Sequence, residues 1–468
     1  MSTRKYKISG SPEDRAPSGG VTRVQIHAWA TGGRGLGRVD GRVWMVAGAV
    51  PGDEVEARVV NDHGRFVDAV VHALASPSPS RRVAPCPIQH ACGGCPLMVV
   101  DEDSQRGAKR QFLIDALHRI GRFPQSLPVG QVVAAPTDWR YRNKIELSFG
   151  RDDRSRPVLG YHRPGFPSTL VDVKDCVIAD LRLRPLLAAA RAFFLEGPGA
   201  SEPAIDDARL PLRLVLRASS VRDERLIALR GPAGPFASAG EFARVAVEAD
   251  PGLVGVVRLL SAGKRRGGAA VETVAGRDWI ADEIHGIAFR VPAATFLQVH
   301  AAAAEILGGH VLAGAGSPRR VIELYGGIGA LGLALARRGA RATIVDADPA
   351  AIACGTEAAR SQRLTTAVFE RADVLAFLQD RRDDTAPDLV IADPPRTGLG
   401  RGVVERLAAL SAARIAMVSC DPATLARDLA ALNARGYALE RITPFDLFPQ
   451  TAHVEAVAWL SRFAGRPT

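Results

Sequence analysis

No apolar run in this 468-residue chain is long enough to cross a bilayer, so no helical membrane span is expected. The first twenty residues are rich in Ser, Gly and Pro and lack the apolar core of a signal peptide. A cytoplasmic location, with no membrane partner, is therefore expected. Cysteine is scarce, at six residues. That excludes a disulfide scaffold and leaves thiols that are free, metal-bound or catalytic. Negative charge is also short, with 50 acidic residues against 60 basic ones and a formal charge of +10. The pI of about 9.7 favours a polyanionic partner, chiefly nucleic acid, although arginines on solvated faces give the same balance. No internal repeat is evident. What remains is an ordinary globular composition, 47% hydrophobic and 24% charged, long enough for two or three domains.

The fold class expected is multidomain α/β. Residues 1–20 read as a flexible tail. Residues 21–76 read as a small OB-like β-barrel, with strands at Val24–Trp29, Gly41–Val46 and Val55–Val60 and a flexible basic loop at Gly32–Arg38. Ala75–Ser80 reads as a linker by composition. Residues 77–291 read as a central α+β domain. It contains an amphipathic helix over Gln105–Ile120, with Phe112, Leu113, Ala116, Leu117 and Ile120 on one side, and strands near Lys144, Leu212 and Arg225. Residues 292–468 alternate strands with Ala-rich helices, the pattern of a doubly wound, Rossmann-like domain.

In that last domain a strand ends in Tyr325-Gly326-Gly327-Ile328-Gly329. Glycines there let a backbone approach a ligand closely. Asp346 ends the next strand, about twenty residues on, where an acid can accept hydrogen bonds from ribose hydroxyls. S-adenosylmethionine, NAD and a bare structural turn all satisfy this segment, because Gly327–Gly332 also fits the dinucleotide fingerprint. The strand Leu389–Ala392 ends in Asp393-Pro394-Pro395. This places a carboxylate on a pocket rim and stiffens the loop behind it. It resembles segments of methyltransferases that act on planar nitrogen bases. Asp373 could bond an adenine amino group or simply cap a helix.

Cys420 follows the apolar strand Ile415–Val418. A thiolate there could add to C6 of a uracil and make C5 nucleophilic, after which a base must remove the C5 proton. The helix beginning near Thr424 would lower the thiol pKa, with Asp421 opposing it. Glu455 is the candidate base and His453 its rival. A buried, inert Cys420 and an exposed Glu455 are the plain structural alternatives.

Ser419–Leu429, Asp393–Gly398 and Phe448–Glu455 together resemble the RNA uracil-5-methyltransferase family. The resemblance covers nearly the whole chain, with a TRAM-like barrel in front and Tyr141–Glu146 similar to a central RNA-contacting segment. It implies methyl transfer from S-adenosylmethionine to C5 of a uridine in RNA, with 23S rRNA preferred over tRNA. It also implies Cys420 as nucleophile and Glu455 as proton acceptor, with Gln298, Tyr325, Asp346, Asp373 and Asp393 as cofactor contacts. A monomer is expected. Departures from the family pattern are His300 and Asp421, each at a usual Asn, Gly326 at a frequent Cys, and Asp346 at a frequent Glu. Other readings are an NAD-linked iron–sulfur oxidoreductase and a catalytically silent RNA-binding protein.

Cys86, Cys92 and Cys95 gather three thiols within ten positions, and Cys176 is a distant fourth. Four thiolates suit a [4Fe-4S] cluster or zinc, and spacing alone does not choose. The family resemblance implies the iron–sulfur cluster. Cys354 is expected to be a packed core residue.

Overall fold

The structure, a computed structural model, describes residues 20–164, 166–201, 212–261, 270–381 and 385–463. The expected tail, apart from Gly20, lies outside them. The chain forms two compact units. One runs to Phe112 and takes in Phe448–His453; the other comprises Leu113–Leu447 and the chain from Val454 on.

The first unit contains strands β1 (Val21–Ala30), β2 (Arg34–Val39), β3 (Arg42–Ala47), β4 (Glu54–Asp62) and β5 (Phe66–Ser76). They close as a barrel in the order β1-β2-β3-β5-β4, which leaves no exposed edge. Alternate residues point inward, so Val24, Ile26, Trp44, Val46, Val55, Ala57, Val67 and Ala69 form the core. The segment expected as a flexible loop is β2, paired to β1 and β3. Its inward residues are glycines because the interior is full: a Cβ on Gly37 would lie 2.4 Å from Val24, and one on Gly35 2.8 Å from Ile26. Glycine here marks close packing rather than flexibility.

The expected linker is also structured. It ends β5, and Ser78 is buried, its amide donating to Asp53 at 2.8 Å. Two helices follow, α1 (Gln89–Cys92) and α2 (Glu102–Arg119). From Leu113 on, α2 belongs to the second unit, where Leu113, Ala116 and Leu117 join the core. Ile120 falls beyond the helix end and is 46% exposed, so it is not part of the apolar face.

The second unit opens with the strands β6 (Lys144–Arg151), β7 (Pro157–Arg163), β8 (Phe166–Asp172), β9 (Arg213–Ala218), β10 (Arg225–Pro232), β11 (Leu253–Ser261) and β12 (Ala270–Gly276). They make one mixed sheet in the order β12-β11-β10-β9-β6-β7-β8. Leu214, Val215 and Leu216 of the central β9 are all buried. With both faces covered, the strand shows no alternation, so periodicity could not give its place in the sheet. Helices α3 (Arg184–Arg191) and α4 (Ala239–Ala249) accompany this sheet, and the hairpin β13 (Trp279–Ile284) and β14 (Ile287–Pro292) follows it.

The rest of the unit alternates. Its elements are α5 (Ala301–Ala315), β15 (Arg320–Leu324), α6 (Ala330–Arg337), β16 (Arg341–Asp346), α7 (Pro349–Ser361), β17 (Ala367–Arg371), α8 (Val374–Asp380), β18 (Leu389–Ala392), α9 (Gly400–Ala409), β19 (Arg414–Ser419), α10 (Pro422–Asn433), β20 (Tyr437–Phe445) and β21 (Glu455–Arg462). The sheet order is β17-β16-β15-β18-β19-β21-β20, parallel except at β20 and β21. Leu389–Ala392 and Ile415–Val418 are buried throughout, as continuous apolar strands in a covered sheet should be. The chain winds outward from β15 to β16 and β17 on one side, and to β18 and β19 on the other. Strand order therefore reverses between β15 and β18, and ligands bind beyond the carboxyl ends of such a pair.

Candidate active site

Four chemistry-bearing residues stand in a row along that edge because four neighbouring strands end or begin there. Tyr325 follows β15, Asp393 follows β18, Cys420 follows β19 and Glu455 opens β21. Neighbouring strands lie about 4.8 Å apart, so side chains on adjacent strand ends are within reach of each other. Ser419 pairs with Ala456 in the antiparallel ladder. One further step sets Cys420 opposite Glu455.

The electrostatics tie these groups together. Burial pushes the Cys420 thiol up to about 11, and the Glu455 and Asp393 carboxylates push it further than the Arg396 cation pulls it back. This reverses the expectation from the α10 N-terminus. Asp421 caps that helix, accepting the Thr424 amide at 2.8 Å. Glu455 is 3% exposed, and its carboxyl is held well above the usual range by burial and by Asp393, against Arg396. Burial raises Asp393 to about 6. Asp393 is nonetheless open to solvent by surface area.

The glycine turn is built around two acids. Asp346 accepts the Gly327 amide at 2.8 Å, so its carboxylate braces the turn. Gly327 has φ +56 with open space where a Cβ would be, and Gly329 has φ +74. Tyr325 takes φ +57, a sparsely populated conformation for a bulky residue. Its hydroxyl is pushed up to about 12 by burial and by the Asp373 charge. The second acid, Glu323, carries no role in the sequence analysis. It is 5% exposed on β15, accepts the Gly332 amide at 2.7 Å and is raised to about 8, mainly by burial. Its signal was present: a lone Glu inside Val321-Ile322-Glu323-Leu324, where a covered strand should be apolar.

Asp373 caps α8, its Oδ1 accepting the Leu375 and Ala376 amides at 3.0 and 3.1 Å. Gln298 is half-buried in the segment between β14 and α5. The structure shows no link between Gln298 and the row of strand ends. His300 is 2% exposed, stacks on Tyr141 at 4.4 Å and donates through Nε2 to the Thr137 carbonyl at 3.0 Å. Burial lowers its pKa, so Nδ1 is available to accept the Ala303 amide and cap α5. His453 is exposed, with its ring edge-on to Phe448. Cys354 is buried as expected.

Among the described residues no group of three or more His, Cys, Asp or Glu could hold a metal ion. Cys86, Cys92, Cys95 and Cys176, the four thiols expected to hold a [4Fe-4S] cluster, are each partly buried. No chemistry is routed through a cluster. Among the described residues no helix is long and apolar enough to cross a membrane.

Known proteins place this architecture. Residues 272–463 match the tRNA (Uracil-5-)-methyltransferase family, and residues 18–71 match the TRAM domain. An uncharacterized RNA methyltransferase of Gloeobacter violaceus is 37% identical over 455 residues, 95% of this chain and 97% of its own. One from Nitratidesulfovibrio vulgaris is 33% identical over 454 residues, 94% of this chain and 95% of its own. The crystal structure of Pyrococcus abyssi tRNA (uracil-54, C5)-methyltransferase in complex with S-adenosyl-L-homocysteine aligns over 94% of this chain and 100% of its own. Its TM-score of 0.71 at 24% identity shows a shared fold. With such relatives over nearly its whole length, and the tRNA (Uracil-5-)-methyltransferase match over residues 272–463, the chain belongs to the RNA methyltransferase family.

Proposed function

We propose that the protein methylates C5 of a uridine in RNA, using S-adenosylmethionine, through a covalent bond between Cys420 and C6 of the base. The observation that carries this reading is the row Tyr325, Asp393, Cys420, Glu455 at the switch point, with the thiol and two carboxyls in one another's field. The glycine turn suits an adenosyl group, since Gly327 leaves open space and Asp346 holds the loop. Tyr325, Asp346 and Asp373 border that side, and Gln298 completes the set by resemblance.

S-adenosylmethionine supplies an electrophilic methyl on a cationic sulfur. Cys420 loses its proton to water and adds as thiolate to C6, and the C5–C6 electron pair shifts toward C5 and O4. C5 then takes the methyl, leaving a neutral thioether. Glu455 removes the C5 proton, C5=C6 re-forms and the C6–S bond breaks. A thiol near 11 is a poor nucleophile at neutral pH. A cation beside the acidic row would stabilise the Cys420 thiolate and the Glu455 carboxylate together. By the resemblance Asp393 is a further cofactor contact. His453, exposed on the segment before Glu455, is the weaker candidate for the base.

The target is a uridine in ribosomal or transfer RNA, with 23S rRNA as the resemblance implies. Mapping 5-methyluridine in ribosomal and transfer RNA from a deletion strain decides between the two: one position should lose its methyl and regain it with the restored gene. If no uridine changes in either RNA, the activity is wrong.

A further inference from the structure

The segment that leads into the proposed base does not belong to the unit that carries the base. Phe448–His453 is part of the first unit, and Glu455 follows it by two residues. Gln450 lies at the middle of this segment, fully buried and at φ +73. Its side-chain oxygen accepts from Gln105 Nε2 at 2.9 Å and from Arg82 Nη2 at 3.1 Å. Its Nε2 donates to Glu102 at 3.2 Å. Its backbone is held as well: the amide donates to Gln105 Oε1 at 2.8 Å, and the carbonyl accepts from Leu97 at 3.1 Å. Next to it, the buried Lys109 donates to the Phe448 carbonyl at 3.0 Å. Arg82 in turn makes a two-pronged pair with Glu102 at 3.0 and 2.8 Å.

A six-residue loop has no need of such a hub to stay folded. A buried glutamine with every polar atom matched, in a conformation unusual for a non-glycine residue, sets a backbone to one path. That path ends at the residue whose carboxyl must reach C5. We infer that Gln450, clamped by Gln105, Arg82 and Glu102, is a positioning residue for Glu455 in proton removal from the methylated base. The inference rests on the reading of Glu455 as the proton acceptor.

The test uses the full-length protein with RNA substrate and S-adenosylmethionine. It compares Gln450→Met and Gln105→Leu with Glu455→Gln in single-turnover assays that separate adduct formation from adduct release. Gln105→Leu removes the clamp without altering the loop sequence, which guards against a loop variant that merely misfolds. Both hub variants should form the protein–RNA adduct at close to the wild-type rate and release it about ten- to a hundredfold more slowly, the usual cost of a misplaced reacting group. Binding of S-adenosylhomocysteine should be unchanged, and amide exchange in 448–453 should rise. Adduct release at the wild-type rate in both hub variants, while Glu455→Gln traps the adduct, overturns the inference and leaves the proposed function standing. Equal loss of cofactor binding and of both steps also overturns it, since that describes a general fold defect. If Glu455→Gln turns over normally with no adduct, the reading of Glu455 fails, and this inference with it.

Discussion

Two groups of buried acids, one drawn from each unit, are held in opposite ways. In the first, Asp53 is fully buried and fully matched, taking the Val50 and Ser78 amides at 2.7 and 2.8 Å and the guanidinium of Arg81. Glu102 is held below the usual carboxylate range, first by Arg82. In the second, Glu323 inside β15 and Glu455 at the start of β21 are both buried and both raised, each mainly by burial. A buried acid with a counter-charge and amides stabilises a fold. A buried acid short of counter-charge is costly to keep and is available for chemistry. The difference can be tested residue by residue.

The largest effect is expected at the thiol. Cys420→Ala should lower methyl transfer by at least about a thousandfold while cofactor binding survives, because the nucleophile is lost and the pocket is not. Calorimetry with S-adenosylhomocysteine beside a methyl-transfer assay checks this. Substantial turnover by the variant would remove the covalent route.

Next comes the matched acid. Asp53→Ala leaves Arg81 without its partner and two amides unsatisfied, which should cost about 3 kcal/mol in the barrel. Hydrogen exchange across β1–β5 reads the loss locally. A barrel that exchanges as slowly as wild type would show that matching of charge is not what holds it.

The mismatched acid should behave in the opposite sense. Glu323 rises from an ordinary 4.5 to about 8 on folding, so the folded protein takes up a proton between those values. Its contribution to stability is therefore fully present below pH 4.5 and is lost as pH rises toward 8. Glu323→Gln keeps the acceptor for Gly332 and removes the charge, so it should stabilise the second unit by roughly 1–2 kcal/mol at pH 8 and by little at pH 5. Denaturant unfolding at the two pH values checks this. Equal effects at both would mean that Glu323 is not the titrating group.

The smallest effect is on the thiol's reactivity. In the cofactor-free protein, alkylation of Cys420 should be slow at pH 7 and climb toward pH 11. Glu455→Gln removes one of the charges that raise the thiol, so alkylation at pH 8 should speed up by about three- to tenfold. Mass spectrometry of the Cys420 peptide measures it. No change would place Glu455 outside the thiol's field.

Much of the site could be read in advance because its residues sit at strand ends. Covered parallel strands are short apolar runs, and the residue that breaks each run is the one delivered to the edge. Asp346, Asp393 and Cys420 are legible in that way as strand-end residues, and Tyr325 enters by the family resemblance. Glu323 was passed over because it interrupts a strand rather than ending one. The strand β2 was missed because inward glycine, required by Val24 and Ile26 across the barrel, has the same composition as a loop. Cysteine spacing reports proximity along the chain, and among the described residues no metal-holding group accompanies it.

Local chemistry, then, settled which residues could react and at which end of which strand they would stand, because apolar period and turn residues act over a few positions. The tertiary structure alone decided that β18 and β19 lie beside β15 and that β21 inserts antiparallel next to β19. It alone decided that the thiol would be raised rather than lowered. Neighbour order, burial and electric field arise from segments far apart in the chain, and no window of sequence contains them.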